Sequence, residues 1–108
     1  MGLNILLYKI TGKQPEETWG GKTVMYYQTE EPKWWDSCRY GGDKDFAVSG
    51  LFEYVDKEEE YPEYYRPIDF NKTRNWIKEN IEELAQPRLL QAINEMEADE
   101  NLVFYFSY

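Results

Sequence analysis

The chain has no histidine and one cysteine, Cys38, in its 108 residues. The missing histidine removes the side chain whose ordinary pKa lies nearest neutrality. With it go His-based triads, Cys-His pairs and the commonest metal ligand. One cysteine cannot close an internal disulfide, which fits a reducing cytoplasm. With no histidine to serve as its base, Cys38 reads as a structural residue. Long apolar runs are missing too. The run 3–8 is short, contains Asn4 and follows no basic stretch, so it reads neither as a signal peptide nor as a membrane span. Bases are scarce: 12 Lys and Arg face 21 Asp and Glu, a formal charge of -9. Such a field repels nucleic acid and anionic membranes, so neither is expected as a direct partner, and it suits a partner with a basic surface.

What the chain has in excess is aromatic residues. Four Trp, ten Tyr and five Phe make up 18% of it, more than a core of this size needs. The polar tips of Tyr and Trp favour interfaces. The length predicts one domain, residues 1–108, large enough to bury a core without a disulfide or a metal. Charge is unevenly spread. Residues 1–29 hold three bases (Lys9, Lys13, Lys22) against two acids (Glu16, Glu17), so the acidity belongs to the middle and the end of the chain.

Periodicity predicts the elements. Residues 3–10 read as a buried strand and 12–21 as a polar loop anchored by Trp19. A second strand covers 23–29 and stops at Glu30-Glu31-Pro32. After the Gly41-Gly42 turn, Val48, Leu51, Phe52 and Val55 recur at helical spacing, with Asp43 or Asp45 as the cap. An acidic loop spans 56–63. A helix over 70–85, capped by Asp69 or Asn71, would bury Ile77, Ile81 and Leu84 and turn Glu79, Glu82 and Glu83 outward. Pro87 suits the first turn of a helix over 87–98, whose apolar face is Leu89, Leu90, Ile93 and Met96. Residues 102–106 are the strongest strand signal, expected beside the first strand. The predicted order is β-β-α-α-α-β: an α+β fold, with a small antiparallel sheet of about three strands and helices packed on one face.

No pattern singles out an active site, and no enzyme activity is predicted. Asp36, Asp43 and Asp45 with Arg39 are the residue types of a metal or phosphate site, but they match no calcium-loop spacing. Gly41-Gly42-Asp43-Lys44 lacks the spacing of a phosphate loop. No metal and no cofactor are expected. The leading reading is a protein interface made of Glu58, Glu59, Glu60, Tyr61, Glu63 and Tyr64, with Glu79, Glu82 and Glu83. Tyr54, Tyr65 and Trp76 count among its exposed-type aromatics. Carboxylates on a rigid scaffold can imitate a phosphate backbone and occupy a basic surface that normally takes DNA or RNA, while aromatics stack on its arginines. The alternative is a small-molecule, nucleotide-like site around Trp34, Trp35, Asp36, Arg39, Tyr40 and Asp43 in stretch 34–46, which requires a concave aromatic pocket. A third reading, self-association through the aromatic surface, would make a homo-oligomer.

Two short segments resemble a known group. Met1-Gly2-Leu3-Asn4-Ile5 resembles the opening Met-Gly-x-Asp-Ile of small uncharacterised phage and prophage proteins, with Asn4 in place of the acid. Tyr40-Gly41-Gly42-Asp43-Lys44-Asp45-Phe46 resembles the Tyr-x-Gly segment those proteins carry before a helix, with their Asp-Leu-Phe shortened to Asp45-Phe46. The resemblance covers about a quarter of the chain. It implies an origin in a bacterial virus or mobile element and a place in the cytoplasm of an infected or lysogenic host. It also implies, by analogy with other small acidic phage proteins, inhibition of a host defence or nucleic-acid enzyme.

Overall fold

The computed structural model describes residues 3–17, 19–31, 34–38, 49–57 and 62–107. The described residues form β1 (Leu3–Glu17), β2 (Thr23–Thr29), β3 (Trp34–Cys38), β4 (Phe52–Tyr54), β5 (Tyr64–Pro67), α1 (Phe70–Asn80), α2 (Gln86–Ala98) and β6 (Leu102–Ser107). Each strand pairing among them is antiparallel. The α+β class and the place of the last strand beside the first are as expected, but the sheet is larger than three strands. Its order is β2-β1-β6-β5-β4, with β3 also paired to β1.

β2 and β3 share one side of β1. Lys9 O accepts from Glu30 N at 3.0 Å on that side, whereas Ile10 N donates to Asn101 O at 2.8 Å on the other. β2 pairs with the second half of β1 and β3 with its first half, Leu3 to Leu7. The two form a single return path along β1, so the sheet has five strand positions. Thr11 is an extra residue in the β1–β2 register, between Ile10↔Thr29 and Gly12↔Gln28. Its hydroxyl donates to Gln28 O at 3.2 Å and ties the bulge.

Side chains alternate across the sheet. Ile5 and Leu7 of β1 and Leu102, Phe104 and Phe106 of β6 point to one face. There they meet Ile77 and Ile81, and Leu89, Ala92, Ile93 and Met96 of α2, in one buried cluster. Phe52 completes it edge-on to Phe104 and Phe106, with ring centroids 5.9 and 5.5 Å apart. Asp69 caps α1: its carboxylate accepts from Lys72 N at 3.0 Å. Arg66 ties the layers together. Its guanidinium donates to Met96 O at 2.8 Å and Asp99 O at 3.1 Å, at the C-terminal end of α2, and to Leu102 O at 2.6 Å, at the start of β6. Burial lowers its pKa, opposed by Asp99 and Glu100.

Five expectations are corrected. Gly12 to Glu17 are not loop: β1 runs on through the predicted polar segment and pairs with β2 to form a hairpin arm, and the residues between them include Gly21 at φ 74°. Trp19, expected to anchor that segment, is fully exposed beside this turn. The predicted helix over 48–55 is a strand: Gly50 takes φ 79°, Leu51 N donates to Ser49 Oγ at 3.3 Å, and Phe52–Tyr54 pair with Arg66-containing β5. The helical spacing of Leu51, Phe52 and Val55 is fortuitous. α1 ends at Asn80, not near 85: Ile81 turns extended (φ -93°, ψ 140°), and the Gln86 amide donates to its carbonyl at 2.7 Å. Leu84, expected in the core, is 81% exposed. Val48 and the Gly41-Gly42 turn lie outside the described residues.

Candidate functional site

The second face of the sheet carries Leu6 and Tyr8 of β1, Val103 and Tyr105 of β6, and Tyr64 of β5. Register fixes this: Tyr8 lies opposite Val103, Leu6 opposite Tyr105 and Tyr105 opposite Tyr64. Val103 and Tyr64 are buried yet stand outside the cluster under the helices. The three tyrosines pack on one another. Tyr8 lies 6.0 Å from Tyr64 and 6.1 Å from Tyr105, both edge-on, and Tyr64 lies 6.3 Å from Tyr105.

Carboxylates border this cluster. Burial raises the pKa of Tyr8, and Tyr105, Glu31 and Glu63 raise it further. Tyr8 therefore stands as a neutral phenol in a negative field, an aromatic surface rather than a base. Glu31 follows Glu30, whose N–H fixes the base of the arm to Lys9. Glu63 is exposed, but partial dehydration of its carboxyl and the neighbouring Asp56 push its pKa up.

Asp56 itself is fully buried. Its two oxygens accept from Glu63 N at 2.9 Å and Tyr64 N at 3.1 Å, and Val55 N donates to Tyr64 O at 3.0 Å. These bonds clasp the two ends of the β4–β5 connection. Residues 53–63 hold six acids (Glu53, Asp56, Glu58, Glu59, Glu60, Glu63) and one base (Lys57). Lys57 lies 3.9 Å from Glu53. The arm also reaches this point: the Tyr27 hydroxyl donates to Val55 O at 3.1 Å, and Lys13 sits over the Tyr27 ring at 4.8 Å.

Of the residues proposed from sequence as an interface, Glu63 borders the tyrosine face. Tyr64 is 9% exposed and packs within the cluster against Tyr8 and Tyr105. Tyr54 and Tyr65 stack on each other at the helical face, with centroids 4.4 Å apart and hydroxyls 2.7 Å apart. Trp76 is packed against the core. Glu79, in the last turn of α1, and Glu82 and Glu83, in the α1–α2 connection next to exposed Leu84, are exposed in the helical layer. The acids therefore divide between the two layers of the fold. Glu58, Glu59, Glu60 and Tyr61 lie outside the described residues, as do Arg39, Tyr40 and Asp43. The alternative small-molecule site falls there and on the backbone of β3, which holds Trp34, Trp35 and Asp36.

A cavity of about 160 Å³ lies elsewhere, at the start of α1, lined by Gly50, Leu51, Ile68, Asp69 and Lys72. Asp69 already occupies the Lys72 N–H there. Among the described residues no three Cys, Asp or Glu side chains are grouped to hold a metal ion, and no helix is long and apolar enough to cross a membrane.

Sequence reasoning missed Tyr8, Tyr105, Glu31 and Asp56. The signal for the first two was alternation. In a strand, Tyr8 and Tyr105 must fall on the face away from Leu7 and Phe104. No signal marked Asp56, whose role depends on the fold bringing Glu63 and Tyr64 back to it.

The chain was compared with family models, curated proteins and solved structures, and none of them matches it.

Proposed function

We propose that this protein is a small acidic phage-type protein that binds and inhibits a host protein, a nucleic-acid-binding or defence enzyme, through a DNA-mimic-like acidic and aromatic surface. It would act in the cytoplasm of the infected or lysogenic cell. One observation carries the reading: the carboxylates of Glu31 and Glu63 act electrostatically on Tyr8 of the packed Tyr8–Tyr64–Tyr105 cluster, and Glu63 stands at the root of the acid-rich β4–β5 connection. Aromatic faces next to carboxylates attract Arg and Lys side chains, by about 0.5–1 kcal/mol per exposed ring and more where water is excluded. Such side chains line the surfaces of proteins that take DNA or RNA. The Asp56 clasp gives the connection fixed ends, which lowers the entropy lost when it docks. The resemblance of the opening residues to phage proteins supplies the biological setting.

The test is affinity capture from a bacterial lysate, with elution by rising salt. A nucleic-acid enzyme that is released at moderate salt and displaced by added DNA or RNA is the expected result. A partner that stays bound at high salt and ignores nucleic acid would rule out mimicry.

A further inference from the structure

We propose that Tyr54 and Tyr65 form an oxidative cross-linking site, where a peroxide-driven one-electron oxidant joins the two rings by a carbon–carbon bond and locks β4 to β5. This goes beyond the host-binding reading above and does not rest on it.

The register sets Tyr54 of β4 directly opposite Tyr65 of β5. The alternation of the ladder decides how near they come. Val55 N donates to Tyr64 O at 3.0 Å, and Ile68 N donates to Leu51 O at 2.9 Å. Val55–Tyr64 and Leu51–Ile68 are therefore the hydrogen-bonded positions of this antiparallel pair. Tyr54–Tyr65 falls between them at a non-hydrogen-bonded position, where facing side chains stand closest. The ring centroids are 4.4 Å apart with 31° between the planes, and the Tyr65 hydroxyl donates to the Tyr54 hydroxyl at 2.7 Å. With both the ring centres and the oxygens close, the rings run side by side in the same sense. The carbons ortho to the two hydroxyls then lie next to one another, and those are the carbons at which phenoxyl radicals couple. Phe106 backs Tyr65, with centroids 5.1 Å apart, while Tyr54 is 39% exposed and gives an oxidant access to the pair. Tyr8, Tyr64 and Tyr105 are spaced more widely, at 6.0, 6.1 and 6.3 Å.

In the reaction each phenol gives up one electron and one proton. The first becomes a neutral phenoxyl radical, and the hydrogen shared between the oxygens lets either ring hold it. Loss of a second electron and proton makes the second radical. One bond forms between the ortho carbons, and the hydrogen on each coupling carbon moves to its ring's oxygen, restoring both phenols. Hydrogen peroxide takes up the two electrons and two protons, through a haem peroxidase, and becomes two water molecules. The product closes residues 54–65, with the acid-rich connection, into a covalent loop. It restricts the unfolded chain as a disulfide would, in a chain whose one cysteine cannot close one.

Treating the purified full chain with a haem peroxidase and hydrogen peroxide tests this, read by dityrosine fluorescence and mass spectrometry. A monomeric product lighter by two hydrogens is expected. In its tryptic digest, the peptide ending at Lys57 should be joined to the one beginning at Glu58 through Tyr54 and Tyr65. The rate should not change with protein concentration, because the two rings are already held together. Tyr54→Phe and Tyr65→Phe should each abolish the product, with circular dichroism unchanged from the native chain. Tyr61→Phe, which removes another tyrosine from the same tryptic peptide, should leave it. Absence of the linked monomer, its persistence in Y54F or Y65F, or its loss in Y61F would overturn the proposal.

Discussion

Arg66 and Glu63 lie three residues apart and do different work: one holds the layers together, the other faces outward. Arg66 donates to three carbonyls around the end of α2. Charge-assisted bonds of this kind contribute more than neutral ones, so Arg66→Ala should destabilise the fold by about 3 kcal/mol in urea denaturation. Arg66→Lys should recover only part of the loss, because one ammonium cannot span three carbonyls set in a fork. Glu63 predicts a pH dependence. Its folded pKa is raised above the ordinary 4.5, by partial dehydration and then by Asp56. The folded state therefore favours the protonated form. That contribution is fully present below pH 4.5 and is lost as pH rises through the raised folded pKa. Glu63→Gln keeps the backbone N–H that Asp56 accepts and removes the ionisation. Its melting temperature should exceed that of the native chain at pH 7, and the gap should close as pH falls below 4.5. A gap that is constant with pH would remove the dehydrated carboxylate from the account.

Among the elements, the ends carry the lesson. α1 was legible from Asp69, Ile77 and Ile81, but not where it stops. Leu84 continues the apolar spacing, but the backbone turns extended at Ile81, whose carbonyl accepts from the Gln86 side chain. Ile81→Ala should therefore cost about 2–5 kcal/mol, as a buried core truncation. Leu84→Ala should change stability by less than about 0.5 kcal/mol, as an exposed substitution. Chemical denaturation of the two variants checks both. The terminal strand and its neighbour β1 were readable because buried strands are nearly continuous apolar runs. β4 was not, because Leu51, Phe52 and Val55 satisfy a helical spacing as well as a strand, and Gly50 at positive φ decides between them. The second half of β1 was hidden for another reason. Lys13, Gln14, Pro15, Glu16 and Glu17 lack strand character, and pairing with β2 imposes it. Gly21→Ala, at φ 74°, should loosen this arm by about 1 kcal/mol. Hydrogen exchange should show faster exchange in β2 with β6 unchanged.

At the scale of the whole molecule, charge and aromatic surface are arranged by the fold in a way composition only hinted at. The -9 charge was plain, but its division was not. Glu97 and Asp99 look like spare acids at the end of α2, yet Arg74 pairs with Glu97 at 2.6 Å and Lys9 with Asp99 at 3.2 Å. The acids at the root of the β4–β5 connection instead border a tyrosine face that no local pattern in the sequence assembles. Binding to a basic partner through that face should weaken steeply with salt, because exposed charges are screened within about 10 Å at 0.1 M ionic strength. The most direct measurement is a paired capture experiment from one bacterial lysate, quantified by mass spectrometry. One bait is the native chain. The other has Glu58, Glu59 and Glu60 changed to Lys, with unchanged circular dichroism. A host protein with a basic nucleic-acid surface, enriched by the native bait and lost from the reversed one, is the predicted result. Equal recovery of that protein on both baits would contradict it.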